Sequence, residues 1–197
     1  MKKNNRQVLK DKKMNELLLI SSRVIKTKGF RATSIDEVMA KGKLTRGSFY
    51  AYFKSKDDMI LKSLAWMVDQ SHEKIKTQLE KIAEPGEIKF SAFIDFYLSP
   101  NHREQLGEGC PIAALSRDIS LSPLRFRQEF ANLLSATIDN RRALASSKTH
   151  MVTRKRWMSL MSTYVGALIL SRACAGTDLS NEILNVAHDY LVERKGK

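Results

Sequence analysis

Helix start and stop signals follow one another so closely near the N-terminus that only short helices fit between them. Apolar residues at three- and four-residue steps predict a first helix over about 14–28, and Gly29 provides its C-terminal stop. Thr33 or Ser34 can cap a second helix, because an acidic residue lies three positions beyond each of them. This second helix is expected to end near Gly42.

Two further helices start shortly afterwards. Thr45 can cap a helix over about 46–52, and Ser55 with Asp58 forms a capping box for the next one. Three helices within about 40 residues, with a short turn between the second and the third, predict a helix-turn-helix unit.

The rest of the sequence also has helical periodicity. A long fourth helix is expected from Lys56 to about residue 82, before a break at Pro85 and Gly86. Turn signals then separate further helices, which we expect at about 87–98, 111–119, 123–145, 150–174 and 181–194. Runs that alternate with a period of two are absent from the sequence, so we predict an all-α fold of about nine helices without a sheet.

The basic charge is concentrated in the N-terminal quarter of the chain. Residues 1–56 contain 15 lysines and arginines against four acidic residues, whereas the rest contains 19 basic against 17 acidic residues. A local cationic excess of this kind forms a surface for a polyanion. We therefore predict a basic flexible arm over 1–13, a helix-turn-helix DNA-binding domain over 14–55, and a helical ligand-binding and dimerisation domain over 56–197.

Other features of the sequence argue against several classes of protein. No apolar stretch is long enough to span a membrane and no leader pattern is visible, so we expect a cytoplasmic protein without membrane partners. Cys110 and Cys174 lack the spacing of a disulfide framework or a structural zinc site. The four histidines have neither metal-ligand nor catalytic spacing, and no phosphate-binding glycine loop is present. We expect no metal, no cofactor and no enzymatic activity.

The third predicted helix has the division of side chains that a recognition helix needs. Phe49 and Phe53 can anchor one face in a core, while polar residues at the N-terminal end reach base edges. The hydroxyls of the tyrosines in this helix, and the lysines that come after it, are suited to contacts with phosphate oxygens. The candidate DNA-binding residues are Thr33, Lys43, Thr45, Arg46, Gly47, Ser48, Tyr50, Tyr52, Lys54 and Lys56. The alternative for the two tyrosines is a role in the core.

Residues 14–60, with the segments GFRATSIDEVM and LTRGSFYAYFKSKDDMI, resemble the DNA-binding domain of TetR-family regulators. The resemblance implies that Thr33 and Tyr50 touch the DNA backbone and that Tyr52 and Lys56 hold phosphates. It also implies that Thr45, Arg46 and Ser48 face the major groove.

The turn departs from the family pattern at one position. Family members usually have glycine where this chain has Lys43, and here the glycine is Gly42. Two outcomes are open: Lys43 adopts a left-handed conformation at a cost of about 1 kcal/mol, or the turn shifts by one residue.

The C-terminal part is similar to TetR-type regulators related to AcrR and NemR, through the segments GCPIAAL, YVGA and SRA. The resemblance implies dimerisation through the last two helices and a pocket beneath the DNA-binding heads. Apolar stripes on those helices also favour a dimer. The candidate interface residues are Leu160, Tyr164, Leu168, Ser171, Ile183, Ala187, Tyr190 and Leu191. The alternative is that these stripes belong only to the intrachain core.

An unusually aromatic set of residues suggests a cavity for a small apolar or aromatic ligand, although any one of them could be core. The candidates are Met67, Phe90, Phe93, Phe96, Tyr97, Cys110, Arg117, Phe126, Phe130, Trp157 and Met161. Asp118 could add polarity beside Arg117.

Cys110 carries a more specific hypothesis. Pro111 suits the first position of a helix, which places Cys110 at the N-cap, where the helix dipole favours a reactive thiolate. The function predicted from the sequence is a ligand-responsive repressor that binds a palindromic operator as a homodimer. Two alternatives stay open: a repressor that senses electrophiles or oxidants through Cys110, and an architectural DNA-binding protein without an inducer.

Overall fold

The computed structural model describes residues 5–82, 90–145 and 152–193. Within these ranges it contains nine α-helices, one 3-10 helix and no strand, which confirms the predicted all-α class. The helices are α1 (Asn5–Ala32), α2 (Ile35–Lys41), the 3-10 helix (Arg46–Ala51), α3 (Lys56–Ile82), α4 (Phe90–Tyr97), α5 (Pro100–Glu104), α6 (Pro111–Ser120), α7 (Leu124–Ala145), α8 (Arg154–Ala173) and α9 (Asp178–Glu193).

The basic arm is helical where the structure describes it, in contrast to the flexible segment expected over 1–13. Helix α1 begins at Asn5. The Gln7 side chain donates to Asp11 (2.7 Å), and Lys13 pairs with Glu16 (2.9 Å), at spacings that stabilise a helix. The lack of apolar residues in this segment predicted flexibility, but these local side-chain pairs favour a helix.

Gly29 interrupts α1 as expected from its stop signal. Its φ of 80° and ψ of 174° are not helical, and a side chain there would clash with Asp118, whose Oδ1 lies 2.8 Å from the position of a Cβ. The chain therefore bends where the first predicted helix was expected to end.

Helix α5 was not predicted, because Ser99, Pro100 and Asn101 were interpreted as a turn. Ser99 instead caps α5, its hydroxyl accepting from the His102 N–H (3.1 Å), and Pro100 occupies the first turn. Helix α8 begins at Arg154 because Thr153 caps it through the Arg156 N–H (3.2 Å). The expected breaks at 85–86 and 146–147 lie outside the described residues.

Three apolar clusters form the core of the described chain, and the first two contain residues from both predicted domains. The first packs α1, α2, the 3-10 helix and the start of α3 around Leu17, Met39 and Phe49. The second joins α1, α3, α6 and α7 around Ile25, Leu64 and Leu115. The third is built mainly from α4, α7, α8 and α9. Helix α3 begins at Lys56, where the larger domain was expected to start, and the domain division itself stays a proposal.

Candidate nucleic-acid interface and ligand cavity

The turn before the 3-10 helix is set by two adjacent residues. Gly42 caps α2 against Leu17, whose Cδ2 lies 2.7 Å from the position that a Cβ would take. Lys43 has a φ of 55°, so the first of the two conformations considered for the turn is the one observed. Leu44 then returns to the core, where its N–H donates to the Met39 carbonyl (2.9 Å). The turn thus fixes where the next helix starts.

The 3-10 helix presents polar residues outward and aromatic anchors inward. Thr45, Arg46 and Gly47 are exposed, while Phe49 is fully buried. Thr45 is the N-cap residue, but its hydroxyl lies 3.0 Å from the Ser48 hydroxyl and makes no cap bond to the backbone. Short hydroxyls and a cation at the start of an exposed helix are the groups that reach base edges.

Two of the candidate phosphate contacts lie on the same exposed side. The Tyr50 ring is 70% exposed and packs edge-on against Phe49, so the alternative of a core role does not apply to it. Lys54 is also exposed, and its backbone N–H donates to Asp58 (2.9 Å). Burial alone would raise the pKa of Asp58, but this N–H and the Lys62 ammonium hold that pKa below its usual value.

Three other candidates are turned toward the protein. Thr33 is buried, and its hydroxyl donates to the Gly29 carbonyl (2.8 Å) instead of facing a phosphate. The Lys56 ammonium donates to the Arg31 carbonyl (3.1 Å). Tyr52 is half-buried against the first core cluster. The sequence shows the residue types and their motif positions, but it does not show in which direction each side chain points. It therefore could not distinguish these three inward-facing residues from the exposed Tyr50.

A cavity of about 200 Å³ lies between α1, α3 and the segment before α6. Four predicted pocket residues line it: Met67, Phe96, Tyr97 and Cys110. The rest of the lining was not predicted from the sequence. It consists of Leu19, Ser22, Arg23, Lys26, Trp66, Gln70, Ser71, Lys74, Ile75, His102, Glu108 and Gly109. Polar residues at four-residue spacing on α1 and α3, such as Gln70 and Lys74, were the available signal.

The other predicted pocket residues lie elsewhere. Arg117 is exposed on α6, and the carboxylate of the neighbouring Asp118 accepts a hydrogen bond from the Phe30 N–H at the bend in α1. The aromatic residues are packed into the second and third core clusters, because protein interiors are close-packed and large rings fill the space between helices. These residues are Phe90, Phe93, Phe126, Phe130, Trp157 and Met161.

Cys110 occupies the N-cap of α6 as predicted, followed by Pro111. Its side chain lines the cavity but is only 3% exposed. The Cys110 backbone N–H donates to His102 Nε2 (3.2 Å), and the other ring nitrogen of His102 lies 2.7 Å from the Tyr97 carbonyl. Burial lowers the pKa of His102 to about 4. This imidazole is therefore neutral and holds the backbone, not the thiol.

On α8, the predicted dimer stripe is one residue out of register with the exposed apolar surface. Tyr164, Leu168, Ser171 and Leu191 are buried inside the protomer and cannot face a second copy. An exposed apolar groove lies beside them, and its lining includes the predicted Ile183, Ala187 and Tyr190. The remaining lining residues are Thr163, Gly166, Ala167, Leu170, Leu179, Glu182 and Val186. Leu160 is half-buried against the third core cluster.

The described part of the chain contains neither a membrane-spanning helix nor a metal-binding cluster. Among residues 5–82, 90–145 and 152–193, no helix has the length and apolarity needed to cross a bilayer. In the same ranges, no group of three or more histidine, cysteine, aspartate or glutamate side chains could bind a metal ion.

The helix-turn-helix unit on an all-helical body has counterparts among known regulatory proteins. Residues 18–62 match the family model described as bacterial regulatory proteins, tetR family. Residues 18–62 are therefore similar to the N-terminal domain of TetR-family regulators, and the described chain has the fold of solved TetR-family regulators.

Curated relatives match only part of the chain. An uncharacterized HTH-type transcriptional regulator of Bacillus subtilis, YfiR, is 31% identical over 119 residues, which are 59% of this chain and 50% of the relative. The transposon Tn10 TetC protein of Escherichia coli is 30% identical over 105 residues, 51% of this chain and 53% of that protein. The chain spans between a quarter and about three fifths of the length of the first curated relatives.

Solved structures extend the similarity of fold to nearly the whole chain. Escherichia coli NemR in its reduced form matches with a TM-score of 0.67 and 21% identity, covering 92% of this chain and 96% of that one. A TetR-family regulator from Cytophaga hutchinsonii matches with a TM-score of 0.73 and 14% identity, covering 93% and 94%.

Proposed function

We propose that this protein is a transcriptional repressor that binds a palindromic operator as a homodimer and releases it when a small ligand enters the cavity. The observation that carries the DNA-binding part is the exposed polar start of the 3-10 helix above a buried Phe49 anchor. The arm supplies more charge, because Arg6, Lys10 and Lys12 are exposed along the start of α1.

The homodimer rests on the groove between α8 and α9. Leu170 is 57% exposed, and Leu179, Val186 and Tyr190 continue the same apolar surface. A contiguous exposed apolar patch on a helical face favours a self-complementary contact. A two-fold dimer presents two recognition helices to DNA, and the operator then reads as a palindrome.

The cavity favours ligand control over the architectural alternative, which predicts a collapsed core. Helix α6 connects the cavity to the DNA-binding head, because Cys110 lines the cavity at one end and Asp118 bonds to the bend in α1 at the other. A ligand that binds more tightly to one position of α6 shifts the orientation of the heads.

Selection from random DNA duplexes with the purified full chain tests the DNA-binding part. We expect enrichment of a palindrome, with a mobility shift that weakens steeply as salt rises. Recovery of no sequence preference at any salt concentration would favour the architectural alternative.

A second candidate is a thiol sensor, favoured by the position of Cys110 on the cavity wall. Release of the selected DNA by methylglyoxal or a quinone, abolished in Cys110→Ser and retained in Cys174→Ser, would establish it. Release by compounds that carry no electrophile, unaffected by Cys110→Ser, would establish simple ligand binding.

A further inference from the structure

A buried cation behind the cavity has no carboxylate partner among the described residues. The Arg141 side chain on α7 is 3% exposed, and its Nη2 donates to the Ser71 hydroxyl (3.2 Å). Its Nε and Nη1 atoms have no hydrogen-bond partner among the described residues, and no carboxylate there lies within ion-pair distance. Arginine stays protonated in proteins, and buried charges are normally paired.

The groups around Arg141 add donors and no strong acceptor. The Tyr164 hydroxyl faces the guanidinium and the Tyr97 hydroxyl lies near Cys110; both are fully buried, and neither has a hydrogen-bond partner of good geometry among the described residues. Burial raises the pKa of Tyr97 well above its usual value and that of Tyr164 to about 12, so both phenols are neutral donors. The Trp157 indole N–H, another unpartnered donor, lies on a ring packed against Tyr164.

This donor cluster lies directly behind the cavity wall. Ser71, which accepts from Arg141, lines the cavity together with Tyr97 and Cys110. Arg141 and Tyr164 do not line the cavity themselves, so an acceptor that enters the cavity must pass Ser71 and Tyr97 to meet the guanidinium and the phenol hydroxyls. A carboxylate is the side-chain-sized group that only accepts, with about four lone-pair sites.

The rest of the cavity wall carries the same sign of charge. Arg23, Lys26 and Lys74 contribute cations, and the acidic lining residue Glu108 is already paired with Arg23. Burial lowers the pKa of Lys26, which indicates an incompletely compensated ammonium. Apolar area from Trp66, Met67, Ile75 and Phe96 covers the remainder.

We propose that the cavity binds a small organic carboxylate, whose acid group pairs with Arg141 and the two tyrosine hydroxyls and whose apolar body lies against Trp66 and Phe96. The proposal rests on the ligand-controlled function above and names the chemical class of the ligand. The sequence analysis predicted an apolar or aromatic ligand because it did not include Arg141 among the candidate residues. With Arg141, the expected ligand is an apolar acid. The signal for Arg141 was its place on the apolar face of α7, at helical spacing from Leu134 and Ile138.

Calorimetry on the full chain without DNA tests this proposal with matched probes. Octanoate and 4-phenylbutyrate are compared with octanamide and 4-phenylbutyramide, which keep the apolar body and lose the charge. We expect the acids to bind and to raise the melting temperature, and the amides to bind at least tenfold more weakly, as for loss of a charge-assisted hydrogen bond. Equal binding of acid and amide would overturn the proposal.

Three variants locate the acid group. Tyr164→Phe, which preserves the ring, should weaken octanoate binding on the order of tenfold. Arg141→Met should abolish binding and raise the melting temperature of the free protein, because it removes an unpaired buried charge. Arg127→Met, a change at an exposed site on the same helix, should leave both measurements unchanged. Unaltered octanoate binding in both Tyr164→Phe and Arg141→Met contradicts the proposal.

The outcome is separable from that of the proposed function, since the binding assay contains no DNA. Selective DNA binding without any effect of the acids overturns only the ligand assignment. Acid binding by a chain that selects no DNA sequence overturns the proposed function alone. If no acid binds and Cys110→Ser lowers the melting temperature as Arg141→Met raises it, the Cys110 thiolate is the missing anion and the proposal fails.

Discussion

The Asp118 carboxylate of α6 accepts a hydrogen bond from the Phe30 backbone N–H (3.0 Å), at the bend where α1 turns into the helix-turn-helix unit. No residue other than glycine fits at the bend without displacing that carboxylate, since Gly29 faces Asp118 directly. The bond joins α6, whose N-cap residue Cys110 lines the cavity, to the last turn of α1 before α2. We therefore expect a movement of α6 to reach the helix-turn-helix unit in part through this carboxylate, beside the apolar contacts of Phe30 with α6.

Asp118→Ala should loosen this junction. Loss of a hydrogen bond to a half-buried backbone N–H lowers the free energy of unfolding by about 1–2 kcal/mol. Amide exchange of residues 30–34 should become faster, and DNA affinity should fall several-fold, as measured by mass spectrometry and mobility shift. Arg117→Ala at the exposed neighbouring position is the matched control, and equal behaviour of the two variants would rule out the junction.

Substitutions on the DNA-facing surface should separate sequence reading from charge. Arg46→Ala removes an exposed cation that pairs with Asp36 (2.7 Å) in the free protein, and we expect a relaxed preference at one operator position. Lys54→Gln should weaken binding to all sequences and reduce the slope of log affinity against log salt by about 1. Lys155→Gln, on the exposed face of α8, should change neither quantity.

Lys43 combines backbone strain with a charge, and two variants separate them. Lys43→Gly removes the side chain at a φ of 55° and should raise the free energy of unfolding by about 0.5–1 kcal/mol while weakening DNA binding. Lys43→Gln keeps the strained backbone and should weaken DNA binding to the same extent without stabilising the protein. Denaturant unfolding and mobility shift measure the two effects, and a destabilised Lys43→Gly would show that this backbone is not strained.

The proposed dimer face is tested by comparing a groove residue with a core residue and with an exposed residue outside the groove. Val186→Glu places a charge on an exposed groove residue and should give a folded monomer in sedimentation experiments, with loss of DNA binding. Leu168→Ala, inside the protomer core, should instead lower the free energy of unfolding by about 2–5 kcal/mol. Leu121→Glu, exposed outside the groove, should affect neither; an unchanged dimer in Val186→Glu would exclude this groove.

These residues show what the sequence could predict and what it could not. Caps such as Ser34 and stops such as Gly29 depend on local backbone chemistry, so the helices and the helix-turn-helix unit were predictable. Thr33 lies just before α2 and Leu168 lies within α8, as expected, but which side of each segment meets another helix depends on packing between distant parts of the chain. Arg141 was missed for the same reason: its burial depends on α3, α4 and α8 closing over α7.

His102 should make the protein sensitive to acid. Its pKa is lowered by burial from 6.5 to about 4 in the folded state, so below pH 6.5 the unfolded chain takes up a proton that the folded protein refuses. The stabilisation is complete above pH 6.5 and declines as the pH falls toward 4, by about 3 kcal/mol at most.

His102→Gln should reduce the difference in unfolding free energy between pH 7 and pH 4.5. His188→Gln is the control, because the Asp95 and Asp189 carboxylates raise the pKa of His188, and its contribution is present in acid and lost as the pH rises. An unfolding free energy that falls with acid as steeply in His102→Gln as in the unaltered protein would mean that this imidazole can be protonated without opening the contact between α5 and the Cys110 backbone.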